Sequence, residues 1–139
     1  MTRSFRQPQR YDLSGLATGL RAHAQGLCAE LAAVELLIAH RFWLSRADFR
    51  DRFISTDREN PDEAASAWVD WIGAAAAMSS GRLVCSSGEA AVLHIAIALA
   101  TGGPFSTSVL TCLDRANFAL VITATVRASG RTDTQVEIR

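Results

Sequence analysis

Two stretches of the chain, residues 90–100 and 116–126, contain no charged side chain on any side. A helix on the surface of a soluble domain has an apolar stripe of about 100° and polar residues around the rest. A helix that is apolar all round must therefore lie in the centre of the fold or be covered by another subunit. A chain of 139 residues forms a single small domain, which can enclose about one helix completely. The sequence therefore predicts an oligomer, most simply a two-fold homodimer.

The predicted interface consists of large apolar residues from both stretches: Leu93, Ile97, Phe118, Leu120 and Ile122. Substitution of Phe118 by Asp is expected to break the oligomer or to expose the core. The alternative is that both helices pack antiparallel inside a monomer. In that case the apolar helix predicted nearer the N-terminus would cover them.

Apolar spacing along the rest of the chain predicts an all-α fold, a compact bundle of about five or six helices. Apolar residues three, four and seven positions apart from Leu13 to Ile38 predict one long helix, which its glycines weaken and can interrupt. A short helix is predicted to start at Ser45, whose hydroxyl would cap it, and to carry Phe49 and Phe53 on one face.

The next predicted helix start is the clearest boundary signal in the sequence. In Asn60-Pro61-Asp62-Glu63, an Asn cap precedes Pro at the first helical position, and two acids meet the positive end of the helix dipole. This helix is predicted to continue through Trp68 and Trp71 until Gly81 ends it. Its apolar stripe would contain two of the three tryptophans.

Two later helices have clear capping signals. Ser86 and Glu89 have the spacing of a capping box, in which each side chain bonds to the backbone N–H of the other residue. They predict a helix to about Ala100. Asp114 is predicted to cap a helix that runs from Arg115 to Ser129, before a glycine.

The ends of the chain differ from this helical region in composition. The domain prediction is a flexible basic arm over residues 1–11, a single helical domain over 12–130 and a C-terminal tail over 131–139. The tail alternates weakly between apolar and polar residues and is predicted to be a short strand or disordered. The arm is basic because it contains Arg3, Arg6 and Arg10.

No group of residues predicts a metal site or a cofactor site. Metal ions need several ligands that converge on one point. The nearest candidates are His23 with Cys28 and Glu35 with His40, and each pair is five residues apart. Because five residues rotate about 140° around a helix, neither pair shares a helix face. The expectation is no metal and no cofactor.

Catalysis is likewise not predicted. His94 lies within an apolar helix and is predicted to be a core histidine bonded to a carbonyl. The alternative is that it acts as a general base for Cys85 or Cys112, but no third orienting group is identifiable. The chain is therefore predicted not to be an enzyme.

Composition adds expectations about source and compartment. All 14 basic residues are arginine, and this composition is typical of a GC-rich bacterial genome. The three cysteines are widely spaced and predict reduced, mostly buried thiols in a cytoplasmic protein. The apolar run at 90–100 is too short to span a bilayer. The formal net charge of +0 provides no general attraction for nucleic acid.

The C-terminal half also resembles a winged helix-turn-helix module. VLHIAIALATGGPFSTSVLTCLDRANFALVITATVRASG is similar to that family in apolar spacing: a helix, a Gly-Gly-Pro turn, a short helix over 106–113 and a capped third helix. The resemblance implies DNA binding by residues 86–139, with Arg115 and Asn117 at the start of a recognition helix. Further implied nucleic-acid contacts are Arg3, Arg6, Arg10 and Arg131. Under this hypothesis Arg115→Ala should weaken DNA binding and flatten its salt dependence.

Taken together, these patterns predict a small cytoplasmic helical protein that acts by self-association and protein–protein contact, as a regulatory or accessory subunit. DNA regulation through a degenerate winged helix-turn-helix is the alternative function.

Overall fold

The computed structural model of the chain describes residues 13–59, 64–131 and 136–138. Within these ranges the chain is mostly helical and forms a bundle, which confirms the predicted all-α class. The α-helices are α1 (Leu13–Ala24), α2 (Cys28–His40), α3 (Phe42–Ser45), α4 (Ala47–Phe53), α5 (Trp71–Ser79), α6 (Ser87–Thr101) and α7 (Arg115–Ala128). A 3-10 helix spans Thr107–Cys112, and β1 (Ile54–Thr56) pairs antiparallel with β2 (Ala67–Val69).

The long N-terminal helix predicted from apolar spacing is divided into α1 and α2. The division is at Gly26, whose φ of 85° is accessible to glycine and strained for other residues. The two helices pack against each other, and an ion pair of 2.6 Å between Arg21 and Glu35 joins them. α1 also lies against β2 at Gly19, where an added Cβ would come within 3.2 Å of Ala67.

The predicted cap at Ser45 is wrong by one residue. Arg46 is the N-cap of α4, and the hydroxyl of Ser45 instead donates to the carbonyl of Arg41 at 2.8 Å. Phe49 and Phe53 are both buried on one face of α4, as predicted.

The helix predicted to run from the Asn60-Pro61-Asp62-Glu63 boundary to Gly81 is wrong over residues 67–69, which form β2. Trp68 pairs with Ser55 of β1 and is half-buried, while its two neighbours are fully buried, which is the period-two pattern of a strand. α5 begins only at Trp71, because the Asp70 carboxylate accepts the backbone N–H of Gly73 at 2.9 Å. The four boundary residues lie outside the described residues.

The capping predictions for α6 and α7 are confirmed. Ser86 and Glu89 form both bonds of a capping box, at 3.2 and 2.7 Å. Asp114 accepts the backbone N–H of Asn117 at 2.7 Å. These short-range bonds satisfy backbone groups that have no partner within the helix.

The core of the bundle surrounds α6. This helix packs against α2, α5, α7 and the 3-10 helix, and its side chains Val92, Leu93 and Ile95 are fully buried. α7 packs mainly on α2 and buries only Val121 and Ala124. The chain thus buries most of α6, except for the side that carries His94, and leaves a larger part of α7 open.

The predicted arm, residues 1–11, lies outside the described residues. In the predicted tail, residues 131 and 136–138 belong to no helix or strand, and the other tail residues are not described. Over the described ranges, no helix combines the length and the apolar character that crossing a membrane requires.

Candidate interaction surface

The five residues predicted to form an interface occupy two different environments. Leu93 is 0% exposed and Ile97 is 9% exposed within the single chain, so α6 has little surface for a partner at these positions. For Leu93 the interface prediction is therefore wrong. Phe118, Leu120 and Ile122 on α7 are half-buried.

A different surface is more distinctive, because charged residues are missing from two chain segments that lie together. Segments 71–81 and 90–113 contain no Arg, Lys, Asp or Glu. They form α5, most of α6, the following loop and the 3-10 helix, and α6 contacts both α5 and the 3-10 helix. We call the outward side of these elements the uncharged face.

Ile72 is the most prominent apolar residue of the uncharged face. Trp71, Ala74 and Ala77 direct one side of α5 into the core, so Ile72 points outward and is 72% exposed. Ala76 is exposed as well. Ile72 was not among the predicted interface residues, because the predicted helix starts too early in the chain. The signal that would have found it is the Asp70 cap with Gly73 three residues later.

A cavity of about 370 Å³ lies in the uncharged face, between α5, α6 and the loop that follows α6. Such a volume falls in the range of sites that receive a small molecule or a protruding side chain. Its lining residues are Ala75, Ser79, His94, Ile97, Ala98, Thr101, Pro104, Phe105, Ser106 and Val109.

Several polar groups at this cavity are satisfied by the chain itself. The hydroxyl of Thr101 donates to the carbonyl of Ile97 at 2.8 Å. The hydroxyls of Ser106 and Ser108 bond to each other at 2.8 Å. Phe105 is 38% exposed at the same edge. The cavity is thus lined mostly by apolar side chains, and the hydroxyls of Thr101 and Ser106 already have partners.

His94 is exposed on the wall of this cavity, so its predicted place in the core is wrong. The reason is its position on α6. Its neighbours Leu93 and Ile95 are fully buried, whereas His94 lies on the one side of the helix that other elements leave open. Among the described residues, no hydrogen bond joins His94 to Cys85 or Cys112.

The chemistry of the thiols differs from the sequence expectation in one respect. Cys28 and Cys112 are exposed rather than buried, and both are free, as is Cys85. Burial raises the pKa of the Cys85 thiol, and the nearby Glu89 carboxylate adds to this increase. Cys85 is therefore protonated at neutral pH and is not an activated nucleophile.

A second polar cluster, centred on Arg46, has a structural role. The Arg46 guanidinium donates to both carboxylate oxygens of Asp48, at 2.9 and 2.6 Å, and to the carbonyl of Val84 at 2.6 Å. It also lies over the rings of Phe42 and Trp43, at 5.6 and 5.1 Å from their centroids. Its hydrogen bonds hold the pKa of Asp48 below the ordinary value. This cluster ties the segment before α6 to α3 and α4.

His40 is the other histidine with a distinctive setting. It ends α2, is half-buried, and its Nδ1 atom is buried with no hydrogen-bond partner among the described residues. Burial lowers the pKa of His40 below the ordinary 6.5, although the Glu89 and Asp114 carboxylates act in the opposite direction.

The setting of His40 predicts a loss of stability in acid. Because the folded chain disfavours the imidazolium, the unfolded chain binds the proton more readily. The contribution of His40 is therefore complete above about pH 6.5 and is lost as pH falls through the lower pKa of the folded state. The free energy of unfolding, measured in urea, should fall less between pH 7 and pH 5 for His40→Gln than for the unsubstituted chain. The matched control is His23→Gln, at an exposed position beside Trp68, and its free energy of unfolding should fall as much as that of the unsubstituted chain. An equal fall in all three proteins would contradict the contribution of His40.

The residue pairs considered for metal binding have other contacts. Glu35 pairs with Arg21, and the ring of His23 lies 5.4 Å from that of Trp68. Over the part of the chain that the structure describes, no group of three or more potential ligands could hold a metal ion.

The structure brings together only some of the nucleic-acid contacts that the winged helix-turn-helix resemblance implies. Arg115 and Arg131 are exposed, and Arg115 donates to the carbonyl of Ile138 at 3.4 Å. Asn117 is half-buried at the start of α7. In the described ranges the β-hairpin precedes α5 rather than following α7, which is where a wing would lie. Arg3, Arg6 and Arg10 lie outside the described residues.

Compared with known proteins, the chain has no significant match among family models, curated proteins or solved structures.

Proposed function

We propose that this protein acts by self-association, as a homodimer whose subunits meet through the uncharged face, and that it serves as a regulatory or accessory subunit rather than as an enzyme. The observation that carries the proposal is the position of Ile72. It is a large apolar side chain, mostly exposed, on a face without charged residues and on the same short helix as two residues of the cavity wall. A mostly exposed apolar side chain beside a cavity on an uncharged face favours protein contact at this site.

A two-fold dimer would place two copies of α5 side by side and antiparallel. In a symmetric contact of this type, residue i of one chain meets residue j of the other, and the reverse contact is identical. With the axis near Ala75 and Ala76, Ile72 of one subunit lies opposite Ser79 of the partner subunit. Because Ser79 lines the cavity, each Ile72 side chain could enter the cavity of the other subunit. The small side chains of Ala75 and Ala76 permit close approach of the two helices.

Magnitudes indicate that Ile72 must act together with the rest of the face. Full burial of an isoleucine stabilises a contact by roughly 1.5–3 kcal/mol, so the two copies of Ile72 contribute roughly 3–6 kcal/mol to the dimer. Loss of translational and rotational freedom on association costs about 4–15 kcal/mol. The cavity wall and Phe105 must therefore also be covered, and the dimer should be reversible and sensitive to single substitutions in its centre.

The proposal also covers the cellular compartment in which the protein acts. Cys28, Cys85 and Cys112 are all free, and two of them are exposed. Exposed free thiols suit a reducing compartment, so we propose that the protein acts in the cytoplasm.

The substitution Ile72→Asp should convert the dimer to a monomer. It removes the apolar group that enters the partner and places a carboxylate in an apolar contact without a cation to pair with. The dissociation constant should rise by about a hundredfold or more. Sedimentation velocity over a series of protein concentrations measures this change. The free energy of unfolding of the monomer should be almost unaffected, because Ile72 is exposed within the chain.

Ala22→Asp is the matched control, because it adds the same charge at an exposed position on α1. It should leave the dimer intact. An unsubstituted chain that stays monomeric at the highest concentrations, or an Ile72→Asp variant that dimerises as before, would contradict the proposed function.

A further inference from the structure

We infer that His94 makes self-association sensitive to pH, so that its protonation separates the subunits. This inference rests on the proposed function, since it concerns regulation of the same face. Of the described residues that line the cavity, His94 is the only one with a titratable side chain. Histidine is the side chain whose ordinary pKa places its change of charge between about pH 5 and 8.

The position of His94 makes it part of any contact that covers the cavity. It is exposed on α6, one turn before Ala98, and its wall of the cavity faces the wall formed by α5. A second subunit that inserts Ile72 into the cavity would therefore remove water from the imidazole. In a two-fold dimer the same event would occur twice, once in each subunit.

The elements around His94 offer little to stabilise a positive charge. Over their described residues, α5 and the loop 102–106 have no ionisable side chain, and the 3-10 helix has only the Cys112 thiol. On α6 itself the nearest carboxylate is Glu89, more than one turn away, and it already accepts the backbone N–H of Ser86 at 2.7 Å. The uncharged face thus contains no carboxylate that could form an ion pair with protonated His94.

The direction of the pH effect follows from these surroundings. Removing water from an imidazolium without a counter-charge costs far more free energy than removing it from a neutral imidazole. Proton binding therefore favours the separated subunits, where His94 is hydrated. By linkage, the dimer should be tightest when histidine is neutral and should weaken as pH falls through the range in which histidine titrates.

The test is to measure the dimer dissociation constant by sedimentation velocity at about pH 7.5 and about pH 5.5, on either side of the ordinary histidine pKa. For the unsubstituted chain the constant should rise by roughly ten- to a hundredfold at the lower pH, since two histidines are affected. His94→Gln keeps a neutral polar side chain at both pH values, so its constant should change much less. His23→Gln removes a different exposed histidine and should behave like the unsubstituted chain.

Far-UV circular dichroism at both pH values separates dissociation from unfolding, which is needed because His40 affects folding in the same range. A folded His94→Gln dimer that still dissociates in acid, or an unsubstituted dimer equally tight at both pH values, would overturn the inference and leave self-association standing. An unsubstituted chain that is monomeric at neutral pH would instead overturn the proposed function.

Discussion

Substitution of Trp43 by Ala is expected to lower the free energy of unfolding by about 3–5 kcal/mol, the range for large aromatic residues removed from a core. Trp43 is 0% exposed, and its ring contacts those of Phe42 and Phe49 at centroid distances of 5.0 and 5.4 Å. Because small domains have a total stability of roughly 5–15 kcal/mol, this one substitution could remove a large part of it.

The indole of Trp43 also connects distant parts of the fold. Its Nε1 donates to the backbone carbonyl of Glu89 at 3.0 Å, so it joins α3 to the first turn of α6. The guanidinium of Arg46 packs on its face, 5.1 Å from the ring centroid. Loss of the ring should therefore loosen the N-terminal end of the central helix as well as leaving a cavity.

Two further variants separate these effects. Trp43→Phe retains an aromatic ring but removes the hydrogen bond from the indole Nε1 to the Glu89 carbonyl, which should cost about 0.5–1.5 kcal/mol. Trp68→Ala, at a half-buried position on β2, should cost less than Trp43→Ala. Urea unfolding followed by circular dichroism measures all three, because it does not depend on tryptophan fluorescence. Equal losses for Trp43→Ala and Trp68→Ala would contradict the assigned role of Trp43.

Leu93→Ala should have the second large effect, a loss of about 2–5 kcal/mol in the free energy of unfolding. Leu93 is fully buried in the centre of α6, and the surrounding helices cannot collapse completely into the space that its side chain would leave. This loss should not depend on protein concentration, since it arises within one chain.

Comparison of Leu93→Ala with Ile72→Asp then separates the core from the interface. The first variant should unfold more easily and keep the same association between its folded chains. The second should keep its stability and lose association. If Leu93→Ala shifted the monomer–dimer equilibrium and left unfolding unchanged, the assignment of α6 to the interior of a single chain would be wrong.

Short-range signals in the sequence predicted the helices with the best-defined ends. The starts of α6 and α7 depend on Ser86, Glu89 and Asp114, whose side chains bond to backbone groups three residues away. Such bonds require no distant part of the chain, so the sequence pattern is sufficient to identify them.

The segment over residues 67–69 could not be predicted in the same way. Ala67, Trp68 and Val69 fit an apolar stripe of a helix as well as a strand over so short a length. The strand forms because β1 offers backbone partners and because Gly19 of α1 allows close approach of Ala67. Both partners are distant in sequence, so only tertiary packing selects the strand.

The candidate interaction surface likewise depends partly on the sequence and partly on tertiary packing. The absence of charge from residues 90–100 is visible in the sequence, and it predicted that the rest of the fold or a second subunit covers them. Which of them the chain covers by itself is a tertiary outcome: Leu93 is enclosed, whereas His94 beside it is exposed on the cavity wall.

The sequence by itself determined the helical class, the caps of α6 and α7, and the absence of charge from segments 71–81 and 90–113. Those properties depend on residue type and on contacts within about one turn of helix. Tertiary structure alone decided that α6 is more deeply buried than α7, that α5 begins at Trp71 and that Ile72 and His94 point outward. The physical reason is that burial depends on which helices pack around a residue, and those helices are distant in the chain.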